Sequence, residues 1–278
     1  MRGFELDGEM TADKPIRHAW LRALGSKDMP ASIELSDGEY KHVRTFKHDF
    51  FAATGLYAGP SGKVVLKMGR LVSLFGLPMR WLGRWLIERE LANYQAVDDL
   101  EGVPKCLGRW NDTGLVHVFV EGHPLQRHER VGDDFFPELE RLIDELHGRD
   151  MAYVDLEKRE NILVGEDGSG FLIDFQISWR WSKWRSERRG LQRIMPDFLG
   201  RLVLKKLQAG DRYHLIKHRR RHRPDTMTDE QLRASYRKSV FIVLHRWLSR
   251  PFTLTRRGIL KLLTGRSRSP KQEGPEFM

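Results

Sequence analysis

The sequence predicts an α+β chain of two lobes, a small sheet-rich lobe followed by a helix-rich one, with a cleft between them. Three observations predict it. Residues 40–67 carry strand signals separated by glycine turns, residues 135–149 are periodic at helical spacing, and residues 161–175 read as one hairpin set among helices. Strands first and helices afterwards is the order of an α+β chain, not of an alternating α/β one.

In chain order, residues 1–37 read as a polar, partly helical N-terminal extension. The N-lobe is expected at 38–122. Tyr40–Phe46 alternates, Gly55–Gly59 is a short strand flanked by glycines, and Lys63–Met68 is a β-branched run after the turn Gly59-Pro60-Ser61-Gly62. Residues 78–97 read as the lobe's helix, with apolar positions at Trp81, Trp85, Leu86 and Leu91, and Leu115–Gly122 is a strand followed by a turn. The helical C-lobe is expected at 123–264. In its helix over 135–149, Leu139, Leu142, Ile143 and Leu146 form one stripe with acids opposite. Asn161–Phe175 then folds back around Glu166-Asp167-Gly168-Ser169-Gly170. From about 185 the chain reads as helical and basic, and residues 265–278, polar with proline and glycine, read as a disordered tail.

Composition narrows the classes. The chain has 278 residues, 40% of them hydrophobic, enough to bury a core, and its mean hydropathy is −0.53. No apolar run approaches the ~18–20 residues of a membrane span. The N-terminus carries acids where a signal peptide would be apolar, so a cytoplasmic protein is expected. A single cysteine, Cys106, excludes an intramolecular disulfide and a cysteine-based zinc site. Residues 179–278 hold 26 Lys and Arg against 8 Asp and Glu, while the first 178 hold 22 against 30. A basic C-terminal third on a mildly acidic body suggests a polyanionic partner.

The residues that carry chemistry converge on the hairpin. Asp155 sits in a loop just after a helix, Asn161 begins a strand six residues later, and Asp174 ends the return strand. A hairpin returns its second strand to the start of its first, so Asn161 and Asp174 should lie close, with Asp155 at the mouth of the same loop. Hard oxygen donors meeting at strand ends suit Mg²⁺, which shares its shell with substrate phosphates. In the N-lobe, Lys67 ends the apolar strand Val64-Val65-Leu66.

At these residues the chain resembles the protein-kinase-like superfamily, over about residues 40–180. Leu146-His147 with Tyr153-Val154-Asp155 is similar to its catalytic loop, Leu172-Ile173-Asp174-Phe175 to its metal-binding segment, and Val64–Lys67 to its lysine strand. The resemblance implies ATP and Mg²⁺ as cofactors. Asp155 would be the base that takes the acceptor's hydroxyl proton, Asn161 and Asp174 the metal ligands, and Lys67 the phosphate-binding cation oriented by Glu90. Glu88 competes for that pairing, about 200° around the same helix. Phe119-Val120-Glu121-Gly122 resembles the hinge that would hold adenine. Asp155-Leu-Glu-Lys-Arg-Glu-Asn161 with Leu172-Ile-Asp-Phe-Gln176 looks most similar to bacterial lipopolysaccharide kinases, which phosphorylate Kdo or heptose sugars. The resemblance, with the basic C-terminal third, implies an anionic glycan, lipid or protein acceptor; the basic third and its tryptophans suggest peripheral contact with an anionic membrane, and nucleic acid is not expected. A serine/threonine protein kinase, a small-molecule kinase and a pseudokinase scaffold stand as alternatives.

Four residue patterns depart from that family. Asn161 follows Asp155 by six residues instead of five, which asks for one bulged residue. Tyr153-Val154 replaces the His-Arg that would clasp a phosphorylated activation segment. Gln176 stands where glycine would offer positive φ. His48–Gly55 has one glycine where a glycine-rich phosphate loop would be. Two further stretches invite a function. Trp179, Trp181 and Trp184 alternate with Arg180, Lys183 and Arg185, a composition that suits either a membrane interface or tryptophans packed on the helical lobe with solvated arginines, and Arg256–Leu263 suits either anionic lipid or closure over the lobe; Arg80-Trp81 and Arg84-Trp85 form a second such patch or simply core. His214, His218 and His222 share one helix face, which in so basic a run predicts anion binding over metal binding.

Overall fold

The computed structural model describes residues 19–236 apart from 75, 183, 184 and 189. The expected tail at 265–278, the segment Arg256–Leu263, Lys183 and Trp184 lie outside the described residues.

The first lobe is a curled antiparallel sheet with one helix. Its strands are β1 (Ser32–Leu35), β2 (Gly38–His48), β3 (Ala52–Gly59), β4 (Gly62–Gly69), then, after helix α1 (Arg80–Gln95), β5 (Cys106–Trp110) and β6 (Gly114–Val118). They pair in the order β1-β2-β3-β4-β6-β5. Period-two alternation sorts β4: Val64, Leu66 and Met68 join Leu24, Tyr40 and Tyr57 in a core on one face, while Lys67 turns to the face that carries α1. A groove of about 990 Å³ between β1 and β5 opens on the first face, away from Lys67.

The seating of α1 differs from the expected stripe. The helix buries Gly83, Ile87, Glu90, Asn93 and Tyr94, and leaves Trp81 63% and Trp85 49% exposed. The cause is a direct backbone contact. A Cβ on Gly83 would lie 2.3 Å from the Arg70 carbonyl oxygen, and one on Gly69 would lie 2.6 Å from the Gly83 oxygen. The helix settles where it comes closest to β4, which turns the Gly83 stripe inward and the tryptophans to solvent, about half a turn away. The Trp81 and Trp85 patch is therefore surface, not core.

The second lobe contains β7 (Gly122–Pro124), α2 (Phe135–Gly148), β8 (Met151–Ala152), β9 (Ile162–Gly165), β10 (Gly170–Leu172), β11 (Trp179–Arg180), α3 (Asp197–His222) and α4 (Asp229–Tyr236). β9 and β10 form the expected hairpin, with Ile162 opposite Leu172. β7 pairs with β9, and β11 with β8. One apolar core runs from Ile87 and Tyr94 of α1 through Leu115 to Leu139, Leu146 and Phe175, so it joins the lobes.

Of the two readings open for these tryptophans, Trp181 takes the packed one and not the interfacial one. It is fully buried, against Gly200 at a place where a Cβ would lie 2.0 Å from its ring. Its indole Nε1 donates to Asp197 Oδ1 at 3.1 Å, and the Arg188 guanidinium stacks 4.0 Å from its ring. Among the described residues no helix is long and apolar enough to cross a membrane.

Candidate active site

Lys67 Nζ lies 2.9 Å from Glu90 Oε1, 2.8 Å from Glu90 Oε2 and 2.8 Å from Asp174 Oδ1. Three elements distant in sequence, β4, α1 and the segment after β10, thus meet at one amine. Glu88 is turned away and accepts from Arg109 at 2.9 Å on the surface. The contact between Gly69 and Gly83 brings α1 near enough for Glu90 to reach the lysine. Side chains of α1 then stitch it to the segment after Asp174. Asn93 Nδ2 donates to the carbonyls of Phe175 (2.8 Å) and Ser178 (3.3 Å), Arg89 donates to Ser178 (3.1 Å), and Tyr94 Oη accepts from the Asp174 amide at 3.3 Å.

The electrostatics follow from that burial. Burial alone would raise the Asp174 pKa, but Lys67 and, farther off, Lys158 and Lys47 outweigh it and hold the carboxyl below its ordinary value. Lys67 is held above its ordinary range: burial opposes its charge, and Glu90 and Asp174 together outweigh burial. Complete burial pushes Glu90 up to about 7 against the pull of Lys67, with the charge of Asp174 adding to the rise.

Asp155 and Asn161 lie beside one another below this cluster. Asp155 Oδ2 accepts from Asn161 Nδ2 at 2.9 Å and from Lys158 Nζ at 2.6 Å. The extra residue between them is absorbed by two successive turns, with the Lys158 amide donating to the Asp155 carbonyl and the Asn161 amide to the Lys158 carbonyl, each at 3.2 Å. The Ile173 amide donates to the Asn161 carbonyl at 3.1 Å, which ties Asn161 to the residue before Asp174. Asp174 itself has φ +63°, so the left-handed position falls on the aspartate and not on Gln176. Phe175 is buried between Tyr94 and Tyr153, with ring centroids at 4.9 and 5.2 Å.

The residue types suit a hard divalent cation. With Asn161 donating its amide nitrogen to Asp155, its Oδ1 is left for a metal, and Lys67 occupies only Oδ1 of Asp174. Two oxygen donors and a phosphate-bearing substrate is the sparse shell Mg²⁺ accepts. Among the described residues no group of three or more His, Cys, Asp or Glu could hold a metal by itself. The Glu121 carboxylate pairs with Lys63 at 3.0 Å on the surface, and its carbonyl accepts from the Glu166 amide at 3.0 Å. It stands away from the lysine cluster.

Sequence reasoning missed the residue that holds the loop. Asp211, buried in α3, accepts from the Tyr153 amide (2.8 Å), the Val154 amide (2.7 Å) and His147 Nε2 (3.1 Å). Val154 has φ +74°, a strained position for a β-branched residue, and both clasped amides adjoin it. His218 Nε2 donates to the Leu156 carbonyl at 2.8 Å, and His222 Nδ1 to the Glu129 carbonyl at 2.9 Å. The expected anion-binding face is thus corrected: the stripe at i, i+4 and i+8 is turned inward, and His218 and His222 support loops. Its basic neighbours are also engaged, Arg219 with the Thr226 carbonyl and Arg223 with Asp225 and the Val131 carbonyl. The inward spacing of Asp211, Leu215, His218 and His222 is a helical stripe the sequence displays; its target is not.

No family model matches the chain, and no curated protein does. Many solved structures are similar, among them two of one kinase. The Rio2 kinase from Chaetomium thermophilum aligns with a TM-score of 0.44 and 17% identity, over 62% of this chain and 54% of that one. The structure described as the Rio2 kinase–ADP/Mg²⁺–phosphoaspartate complex from Chaetomium thermophilum aligns with a TM-score of 0.47 and 17% identity, over 67% and 56%. This chain therefore spans just over half the length of each. Its own elements, a curled sheet with one helix above a helical lobe bearing the hairpin, make up a two-lobed α+β fold.

Proposed function

We propose that this chain is an ATP-dependent phosphotransferase that moves the γ-phosphoryl group to a hydroxyl of a sugar or lipid-linked glycan. The observation that carries the reading is the amine of Lys67 held between Glu90 and Asp174, above Asp155 and Asn161. In this role Lys67 binds α- and β-phosphate oxygens as a point charge, and Glu90 keeps it extended. Asp174 and Asn161 hold Mg²⁺, which when bound neutralises the phosphate charge that grows during transfer. Asp155 accepts the proton of the attacking hydroxyl, its second oxygen fixed by Asn161 and Lys158. The hydroxyl oxygen forms its bond to the γ-phosphorus as the bond to the β–γ bridging oxygen breaks.

A membrane-linked anionic acceptor is favoured by the surface of α1. Trp81 and Trp85 stand exposed on α1 next to Arg80 and Arg84 in sequence, with the Arg89 guanidinium 5.7 Å from the Trp85 ring, and aromatic rings flanked by cations prefer the headgroup region. A protein acceptor is the second reading within the same chemistry. Incubation with [γ-³²P]ATP and lipopolysaccharide core, lipid A precursors or a general protein substrate separates them. Mg²⁺-dependent label in the glycan, abolished by Asp155→Ala, is expected. Label in protein alone would replace the acceptor class, and no label above the Asp155→Ala background in any arm would end the reading.

A further inference from the structure

Resting on the phosphotransfer reading, this inference concerns how the upper wall of the cleft holds phosphate without a glycine-rich loop. The turn between β2 and β3 is closed by its own aspartate. Asp49 Oδ1 accepts from the amides of Phe51 (2.8 Å) and Ala52 (2.9 Å), and the Asp49 amide donates to the Ala52 carbonyl at 2.9 Å. Backbone amides at such a turn are what a glycine-rich loop offers to phosphate; here two of them are already taken. The turn is also pinned from outside. Arg70, fully buried, donates to the carbonyls of Phe50 (2.9 Å) and Trp20 (2.7 Å), and the Ala23 amide donates to the Asp49 carbonyl at 2.7 Å.

A cation stands where the amides are missing. Lys47 lies opposite Thr54, and Thr54 opposite Lys67. Directly paired residues of antiparallel strands share a face, so Lys47 and Lys67 project from the same side of the sheet, two strands or about 10 Å apart. Lys67 reaches Asp174 from that side, and Lys158 comes from the catalytic loop below. Lys47 is exposed, and its partner is Asp49 Oδ2 at 2.6 Å, an ion pair open to solvent that an incoming phosphate can replace.

We propose that Lys47 binds the polyphosphate of a nucleoside di- or triphosphate, its side chain supplying what turn amides supply elsewhere. The exchange is Asp49 for phosphate oxygen at the ammonium. Asp49 keeps the turn closed through its other oxygen, so the turn need not move.

The test uses the full chain and measures dissociation constants for Mg-ATP, Mg-ADP and adenosine at one fixed salt concentration, with a melting curve for each variant. Lys47→Gln is expected to weaken ATP and ADP about tenfold, the loss of one charge-assisted contact, and to leave adenosine within about twofold. Asp49→Asn, which keeps an amide acceptor and releases the lysine, is expected to bind ATP as tightly as the parent chain or more so. Equal ATP affinity in Lys47→Gln and the parent would overturn the inference while leaving the phosphotransfer reading intact, and would assign Lys47 to its pair with Asp49 alone. Equal weakening of adenosine and ATP would overturn it too, as a general disturbance of the lobe. A parent chain that binds no nucleotide would overturn both.

Discussion

Beneath the cleft, residues 153–156 are held by a neighbouring helix: Asp211 takes two of their amides and His218 the carbonyl of Leu156. Above the cleft, residues 49–52 are held mainly by one of their own number, Asp49, with Arg70 fixing them to the segment before β1. The lower loop keeps a strained backbone in place for a side chain, Asp155. The upper turn has ordinary hydrogen bonds and presents a flexible lysine. Strain is maintained where a side chain must be aimed, and is absent where a mobile charge suffices.

The largest effect should come from breaking the lower clamp. Asp211→Ala would strand two amides and His147 in the interior, and a loss of about 4 kcal/mol is expected, read from the midpoint of urea unfolding. A loss under about 1 kcal/mol would mean that the loop does not depend on α3.

Acid should act next, through the same support. Burial pushes His218 down to about 4, and it pushes His48 and His117 down to about 4 as well. The unfolded chain takes up these protons below about 6.5, the folded chain only near 4. Their contribution is therefore complete above pH 6.5 and lost as pH falls towards 4, about 3 kcal/mol for His218. Glu90, raised to about 7, works the other way, favouring the folded chain as pH falls towards its unfolded value. Three groups against one predict a falling melting temperature from pH 7 to 4.5, with a shallower fall in His218→Asn. A flat profile would contradict it.

Arg70→Met tests the upper turn. It removes two buried donors and the stacking on Phe50 at 4.0 Å, for an expected cost of about 2 kcal/mol, less than at Asp211. A larger cost than that of Asp211→Ala would reverse the comparison. The smallest effect is expected at Val154, where glycine accepts φ +74° without penalty; Val154→Gly should change stability by no more than about 1 kcal/mol. A loss above about 2 kcal/mol would show that side-chain packing outweighs backbone strain there.

These contrasts explain what the sequence displays. Asp155, Asn161 and Asp174 stand out because each is a polar residue at a strand end or loop in a fixed order, Lys67 because it follows the apolar run Val64-Val65-Leu66, and the hairpin between 162 and 172 follows from a short turn between apolar runs. Glu90 stands out less, since choosing it over Glu88 depends on how α1 rotates. That rotation is set by two glycines, Gly69 and Gly83, whose meeting is not written in either segment. Trp81 and Trp181 exchange places relative to composition for the same reason: a helix buries the face that can approach most closely, and Gly200 makes room for a tryptophan among arginines. Asp211 lies 57 residues from the amide of Val154. Pairings of that length are decided by packing, which local patterns do not encode.

The most direct measurement of the central claim is the melting midpoint with and without Mg²⁺ and a non-hydrolysable ATP analogue, for the parent chain and Asp174→Asn. The parent is expected to gain about 2.7 kcal/mol of stability at a hundred times the dissociation constant, with Mg²⁺ required, and Asp174→Asn to lose the Mg²⁺-dependent part. A parent chain that the analogue leaves unmoved, or an Asp174→Asn chain that responds as fully as the parent, would contradict a magnesium–nucleotide site at Lys67, Asn161 and Asp174.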